Sequence, residues 1–240
     1  MKLWRQIDRR TRRHVLETYV KMGAEAKKGS QKWIQKLVND KPEILNSRIK
    51  SALNLPEEEN IEWLSPLKRF GYTEYRDQAF LNALNIKLDK VSLVQFWPKR
   101  GPRWDALGRS ASGKLLLVEA KSHIPELFSS MRTNSEKSAR KIHDSLEATK
   151  TYLGSDTDVD WSQYFYQYAN RIAHLYLLRK NDFQGYLVNV FFLNDAEMNG
   201  PTSSAEWKNA KKILHAHLVI ENHQMQDFVI DVYVDVNELR

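Results

Sequence analysis

The sequence predicts an α/β protein with a basic helical extension at its N-terminus. Short apolar runs typical of strands alternate with longer amphipathic stretches typical of helices from about residue 72 onward. Residues 1–50 hold 14 Lys and Arg against 5 Asp and Glu, whereas the rest of the chain holds 23 against 25. A polar run with one Pro, residues 55–60, separates the two parts. We therefore expect a helical extension over residues 1–55 and an α/β domain over residues 56–240.

The composition narrows the class of protein. A chain of 240 residues is long enough for one large domain with an extension. The absence of Cys excludes disulfides and thiolate zinc sites and fits a reducing compartment. No apolar run approaches the length of a membrane span, and the N-terminus lacks the apolar segment of a secretory signal. We expect a cytoplasmic protein with no membrane partner.

The N-terminal extension is predicted to be three helices. The apolar spacing predicts one helix from Leu3 to about Glu25, a second over Gln31–Val38 and a third from Pro42 to about Leu53. Its basic excess suggests a sequence-independent grip on phosphates, and the alternatives are a solvated helix surface or an acidic protein partner. The candidate contacts in the first helix are four arginines, namely Arg9, Arg10, Arg12 and Arg13.

The segment before the central motif is predicted to be a helix, a strand and a basic loop. Thr73 is a good N-cap for a helix over Thr73–Asn85. Val91–Trp97 is predicted to be the first core strand. The Pro-bounded loop that follows holds three candidate phosphate contacts, although loop charges are often only solvated. These candidates are Lys99, Arg100 and Arg103.

The central motif is a predicted hairpin that ends in charged residues. Asp105 stands at the head of one strand, a Ser- and Gly-rich turn spans residues 110–113, and the apolar run Leu115–Val118 leads into Glu119-Ala120-Lys121. Because side chains two apart in a strand point to the same face, Glu119 and Lys121 share one face. A hairpin of this length brings Asp105 beside Glu119, so two carboxylates and an ammonium group converge.

This convergence suits metal-assisted hydrolysis of a phosphate ester. Mg²⁺ takes carboxylate oxygens and keeps several waters, so Asp105 and Glu119 are candidate metal ligands. A cation held there lowers the pKa of a bound water, and Lys121 can polarise that water or offset transition-state charge. The alternative is a surface hairpin with three solvated charges.

Asp105 followed by the stretch LLLVEAK resembles the signature of the PD-(D/E)xK nuclease superfamily. The resemblance covers about Tyr72 to Asn194, and it departs from the family name in having Trp104 where Pro is expected. It implies a restriction-endonuclease-like fold, in which a mixed β-sheet is flanked by helices. It also implies hydrolysis of phosphodiesters in nucleic acid, with DNA expected ahead of RNA, and Mg²⁺ or Mn²⁺ as the cofactor.

The same resemblance suggests two further site residues. Members of the superfamily often carry an extra acid on the helix before the core strands, and Glu74 best matches that position, with Asp77 as the second choice. The alternative is an acidic first turn favoured by the helix dipole. Several members also carry a Gln on the helix after the ExK strand, and Gln167 resembles that residue.

The C-terminal half is predicted to alternate helices and strands. Helices are expected over Asn134–Leu153, Trp161–Arg179 and Ala205–His217, the last with a Ser203–Glu206 capping box. The middle helix carries one polar stripe, in which Arg171 is a candidate nucleic-acid contact, although an exposed face is an equal alternative. The stripe is Gln167, Asn170, Arg171 and His174. The predicted strands are Gly185–Leu193 in the core and Phe228–Val236 at an edge.

Two classes of function compete with a metal-dependent nuclease. One is a module that keeps the nuclease fold for binding or structure without catalysis, since a fold alone does not establish activity. The intact set of Asp105, Glu119 and Lys121 argues against it, because such a module has no chemical need for all three. The other is a metal hydrolase of small molecules, which the basic N-terminal region disfavours.

Overall fold

The computed structural model describes residues 23–240. Within them the chain forms one five-stranded mixed sheet whose spatial order equals the chain order. The first two pairs of neighbouring strands are antiparallel, and the last two pairs are parallel. The strands are β1 (Ile61–Ser65), β2 (Ala106–Ser110), β3 (Leu115–Lys121), β4 (Gly185–Leu193) and β5 (Val229–Asp235). The predicted α/β class and the mixed sheet flanked by helices are confirmed.

Seven α-helices accompany the sheet in the described residues. They are α1 (Gly29–Asn39), α2 (Pro42–Ala52), α3 (Gln78–Ala83), α4 (Leu93–Phe96), α5 (Glu136–Leu153), α6 (Tyr166–Lys180) and α7 (Ser204–Leu218). The long crossovers between parallel strands run through helices, with α5 and α6 before β4 and α7 before β5. None of these helices is both long enough and apolar enough to cross a membrane.

The two faces of the sheet are covered by different helices. On β3 the even-numbered residues Leu116 and Val118 pack in one core cluster with side chains of α1 and α2. The odd-numbered Leu115 and Leu117 pack in the other cluster with α5, α6 and α7. This alternation directs Glu119 and Lys121 to the face that carries α6.

Helices α1 and α2 confirm the predicted second and third helices of the extension, and they share a core with the sheet. Trp33 and Leu37 of α1 and Ile49 of α2 are buried against the strands. The division at residue 55 stays a prediction. The helix predicted from Leu3 lies outside the described residues over almost its whole length, as do the arginines at 9, 10, 12 and 13.

The predicted first core strand is wrong, because Val91–Trp97 contains the short helix α4 instead. Leu93, Phe96 and Trp97 are buried at helical spacing, and Gln95 Oε1 accepts the Ser92 N–H at 3.1 Å, which closes the first turn. Besides β3, the antiparallel partner of β2 is β1, a strand that the sequence did not predict.

Two predicted helices begin later in the chain than expected. The Thr73 hydroxyl donates to the Phe70 carbonyl at 2.8 Å and caps no helix, and α3 begins only at Gln78. Helix α6 begins at Tyr166, because residues 161–165 form turns in which Asp160 Oδ1 accepts the Ser162 N–H at 2.8 Å. In both places a side chain bonds the local backbone in a non-helical turn.

The remaining C-terminal predictions are confirmed. Strand β4 has the predicted bounds, and α7 begins with the Ser203–Glu206 capping box. Strand β5 lies at the edge of the sheet and alternates buried and half-buried residues.

Candidate active site

The β2–β3 hairpin fixes Asp105 beside Glu119. The Asp105 N–H donates to the Val118 carbonyl at 3.2 Å, and the Ala120 N–H donates back to Asp105 Oδ2 at 2.8 Å. These two bonds straddle Glu119 on the neighbouring strand. The sequence-predicted approach of the two acids therefore follows from the hairpin register, in which Ala106 faces Val118.

Glu119 is a buried carboxylate that accepts hydrogen bonds from three side chains. Gln167 Nε2 donates to Oε1 at 2.7 Å, and Lys121 Nζ bonds the same oxygen. Arg171 Nε donates to Oε2 at 2.5 Å. Gln167 and Arg171 lie four residues apart on α6, so both project from one face of that helix onto β3.

Lys121 is held between the strand and the helix. Its Nζ contacts Glu119, and it also donates to Gln167 Oε1 at 3.2 Å. Gln167 is itself fixed, because its backbone N–H donates to Ser129 Oγ at 2.8 Å. The structure thus brings together Asp105, Glu119, Lys121 and Gln167, which the sequence had placed on three different elements.

Glu74 approaches the site from a loop rather than from a helix. The Trp104 N–H donates to the Tyr75 carbonyl at 3.0 Å, a bond that joins the residues next to Asp105 and Glu74. Gln31 Nε2 of α1 donates to Glu74 Oε1 at 2.8 Å. Glu74 is close enough to add its negative charge to the surroundings of Asp105.

The carboxylates differ in their pKa. Burial, together with the charges of Glu119 and Glu74, raises the pKa of Asp105 well above its usual value. Burial also acts to raise the pKa of Glu119, but Arg171 and Lys121 outweigh it and lower that pKa. Burial raises the pKa of Glu74 as well. Glu119 is therefore the more acidic member of the pair, and Asp105 holds its proton more tightly than a free Asp does.

The Asp105–Glu119 pair fits a hard divalent cation. Mg²⁺ in proteins is commonly held by one or two carboxylates while it keeps several waters. Among the described residues Asp105 Oδ1 has no hydrogen-bond partner, and Glu119 Oε2 has one. No three His, Asp or Glu side chains of residues 23–240 form a ready-made metal cluster, so such a cation would rely on water for its other ligands.

Two residues have other roles than the sequence suggested. Asp77, the second choice for the upstream acid, uses its carboxylate to accept the backbone N–H groups of Arg100 and Gly101. Arg171, predicted to contact nucleic acid, is buried, and its guanidinium bonds Glu119, Asn170 Oδ1 and the Arg103 carbonyl. Because all three nitrogens of Arg171 bond protein atoms, it balances the charge of Glu119 and does not reach a phosphate.

The candidate phosphate contacts of the basic loop lie at the surface, whereas His174 of the predicted polar stripe lies in the core. Lys99, Arg100 and Arg103 are exposed, as a phosphate contact requires. His174, part of the predicted polar stripe, is buried beside Trp97 at a ring distance of 4.8 Å. Burial lowers the pKa of His174 to about 3, so it is a neutral core residue.

Sequence reasoning missed the contribution of Trp104 to the site. The Arg171 guanidinium lies 4.9 Å from the centre of the Trp104 ring, a cation–π contact that helps to hold the arginine at Glu119. Only the spacing of Gln167 and Arg171 signalled that one helix face meets Glu119, and nothing local signalled the tryptophan.

Comparison of the chain with protein-family models, with curated proteins and with solved structures finds no match. The resemblance to PD-(D/E)xK nucleases therefore depends on Asp105, Glu119 and Lys121, and it stays a prediction. The chemistry of these side chains is the ground on which a function can be proposed.

Proposed function

We propose that this protein is a metal-dependent nuclease that acts inside the cell and hydrolyses phosphodiester bonds of nucleic acid, DNA ahead of RNA. The observation that carries the proposal is the surplus of negative charge at the hairpin end. Asp105 and Glu119 adjoin each other, and Arg171 and Lys121 bond Glu119 while neither bonds Asp105. A divalent cation such as Mg²⁺ or Mn²⁺ supplies the missing positive charge.

Asp105 and Glu119 are the proposed ligands, and Glu74 adds a ligand directly or through water. When bound, the cation would activate a water molecule and offset charge on the phosphate. Because the pKa of Asp105 is raised, its proton competes with the cation, and binding of the cation would displace that proton to solvent. Fixing Asp105 through the Ala120 N–H keeps one carboxylate oxygen free for the cation.

Lys121 is the proposed electrostatic catalyst. Its ammonium group is held in place by Glu119 and Gln167 before any substrate arrives. A positive charge that is already oriented stabilises developing negative charge without reorganising during the reaction. Gln167 is therefore the proposed positioning residue for Lys121, since its amide bonds both Lys121 and Glu119.

A non-catalytic role for the same fold is the second candidate. The observation in its favour is that Glu119 already accepts three side-chain hydrogen bonds and is balanced by two cations. Under this alternative, these bonds serve to hold β3 against α6. Under this alternative Asp105 binds no metal, and the exposed basic residues act only in binding.

A cleavage assay tests the nuclease proposal. The full chain is incubated with single- and double-stranded DNA and RNA in Mg²⁺, in Mn²⁺ or in EDTA. We expect cleavage of at least one polymer, its loss in EDTA, and its loss in Asp105→Asn. Glu62→Gln, which neutralises an exposed acid on β1, serves as the matched control and should cleave normally.

Titration calorimetry with Mn²⁺ separates the two candidates. We expect binding by the wild type and none by Asp105→Asn, which keeps an oxygen to accept the Ala120 N–H. Glu119→Gln is less informative, because it leaves Arg171 and Lys121 buried without their carboxylate. A wild type that binds no Mn²⁺ and cleaves no polymer would exclude the nuclease and leave the binding module.

A further inference from the structure

A cleft of about 460 Å³ adjoins the candidate active site, and a basic loop forms part of its wall. We use the name basic loop for residues 98–103. Glu74 lines the cleft near the carboxylates, and the side chains of Arg76, Lys99 and Arg103 add positive charge to its lining. Of the proposed metal ligands Glu74 lines the cleft itself, and Asp105 follows the cleft residue Arg103 by two positions in the chain.

The basic loop is fastened by the carboxylate of Asp77. Asp77 Oδ2 accepts the Arg100 N–H at 3.1 Å, and Oδ1 accepts the Gly101 N–H at 2.9 Å. Both Asp77 and Arg100 have a positive φ, +51° and +67°. Non-glycine residues adopt this conformation at a conformational cost, which surrounding contacts must offset. The two hydrogen bonds from one carboxylate are such contacts.

Close packing at Gly101 leaves the basic loop little freedom to shift toward Asp77. A Cβ added at Gly101 would lie 3.2 Å from Asp77 Oδ1 and 3.2 Å from a Trp97 ring carbon. The bond from the Trp104 N–H to the Tyr75 carbonyl fastens the end of the loop a second time. The loop that carries Lys99, Arg100 and Arg103 is therefore shaped before any ligand binds.

We propose that Asp77 is a positioning residue for nucleic-acid binding, whose carboxylate shapes the basic loop so that its cations meet the phosphates of a strand in the cleft. The inference rests on the proposed nuclease function for its substrate class. A preformed set of cations binds a polyanion better than a mobile set, because less conformational entropy is lost on binding. Lys99 and Arg103 supply charge to the cleft lining, the exposed Arg100 adds charge in the same loop, and Asp77 supplies their arrangement.

The direction in which Asp77→Ala changes the affinity for nucleic acid separates a positioning role from a simple charge effect. Asp77→Ala removes a negative charge beside the cleft, and charge alone would then tighten the binding of a polyanion. The positioning role predicts the opposite, namely weaker binding, because Arg100 and Gly101 lose the acceptor that fixes them. Gly101→Ala disturbs the same contact without changing any charge.

The test measures fluorescence anisotropy of labelled single-stranded and duplex DNA with the full chain in EDTA, over a range of salt concentrations. We expect Asp77→Ala to weaken binding by about tenfold and to flatten the slope of log affinity against log salt by about one unit, the effect of one lost phosphate contact. Asp77→Asn keeps one acceptor oxygen and loses the other, so its affinity should lie between those of the wild type and Asp77→Ala. Gly101→Ala should weaken binding in the same direction as Asp77→Ala.

Asp160→Ala is the matched control, since that acid also bonds a loop N–H but does not line the cleft. It should bind DNA as the wild type does. Equal or tighter binding by Asp77→Ala would overturn the inference, as would a wild type that binds neither DNA. If Asp77→Ala does not fold, unchanged affinity of Gly101→Ala overturns it. Asp77-dependent binding without cleavage would instead refute the nuclease proposal and leave the positioning role intact.

Discussion

Glu119 and Asp231 lie in register on either side of Asn189, and the two acids differ in how far neighbouring cations balance their charge. Register pairs Glu119 of β3 with Asn189 of β4, and Asn189 with Asp231 of β5. At the β5 end, both oxygens of Asp231 accept from Lys211 Nζ, at 2.5 and 2.6 Å, and Asn189 donates at 2.9 Å. One acid there meets one cation.

The cluster at the hairpin end has more acids than cations. Its carboxylates are Glu74, Asp105 and Glu119, and the cations that bond them are Lys121 and Arg171, both at Glu119. The difference teaches that burial of an acid is not in itself a functional signal. An acid matched by its own cation holds elements together, whereas an acid left without one is a candidate for an external cation.

Replacing the lysine that bonds Glu119 should lower activity, whereas replacing the lysine that bonds Asp231 should not. We expect Lys121→Ala to lower the cleavage rate by about a hundredfold or more, the usual effect of losing one oriented electrostatic group. Mn²⁺ binding should persist, because Asp105 and Glu119 remain. The measurement is single-turnover cleavage of a DNA that the wild type cuts. Near-normal turnover would reduce Lys121 to a structural partner of Glu119.

Lys211→Ala is the counterpart at Asp231, where one acid meets one cation, and it should reduce stability rather than turnover. Removing Lys211 leaves the partly buried Asp231 with only the Asn189 amide. The expected loss is about 1–3 kcal/mol of unfolding free energy, typical of a hydrogen bond to a charged group. Urea denaturation gives the free energy, and cleavage per folded molecule should match the wild type. A large loss of turnover would mean that Asp231 and Lys211 contribute to catalysis together with Glu119.

Asp105→Asn should raise stability in the absence of a divalent cation. The folded state holds the Asp105 proton more tightly than the unfolded state, so stability falls as pH rises through the window above the unfolded pKa of 3.8. At neutral pH the wild type has lost the stability that the bound Asp105 proton provides. Asn does not titrate, so the variant does not lose stability in this way. We expect a melting temperature higher by a few degrees in EDTA, since about 1 kcal/mol shifts a protein of this size by roughly 2–4 °C.

Melting temperatures at low pH and in Mg²⁺ test the role of Asp105 further. Near pH 4 in EDTA the two proteins should converge, because Asp105 is protonated in the folded wild type. Saturating Mg²⁺ should raise the melting temperature of the wild type at neutral pH and leave Asp105→Asn unchanged. Asp231→Asn removes the charge that Lys211 balances and should lower the melting temperature at neutral pH. A wild type at least as stable as Asp105→Asn at neutral pH in EDTA would show that the hairpin end has no surplus charge.

The sequence by itself determined the elements that local signals define. The turn at residues 110–113 and the apolar run before Glu119 identified the hairpin, and with it the approach of Asp105 to Glu119. Apolar periodicity likewise identified α1, α2 and α5, and the capping box identified the start of α7. These features depend on neighbours within a few residues, so a single sequence contains their whole cause.

Local signals misled where two of them competed. Val91–Trp97 is apolar enough for a strand, but Ser92 and Gln95 close a helical turn, and the buried side chains follow it. The run from Thr73 to Gln78 has helical spacing, but the positive φ of Asp77 is not helical, so the helix begins only at Gln78. In each case side-chain bonds to the backbone outweighed periodicity.

Only the tertiary structure decided which charges meet. Arg171 lies 52 positions from Glu119, and Asp77 lies 24 from Gly101, so no local pattern pairs them. Packing of α6 on β3 turned a predicted phosphate contact into the internal partner of Glu119. Packing of the loop before α3 against the basic loop turned a candidate metal ligand into a backbone acceptor. The physical reason is that a buried charge must find a partner where the fold places one, and the fold depends on the whole chain.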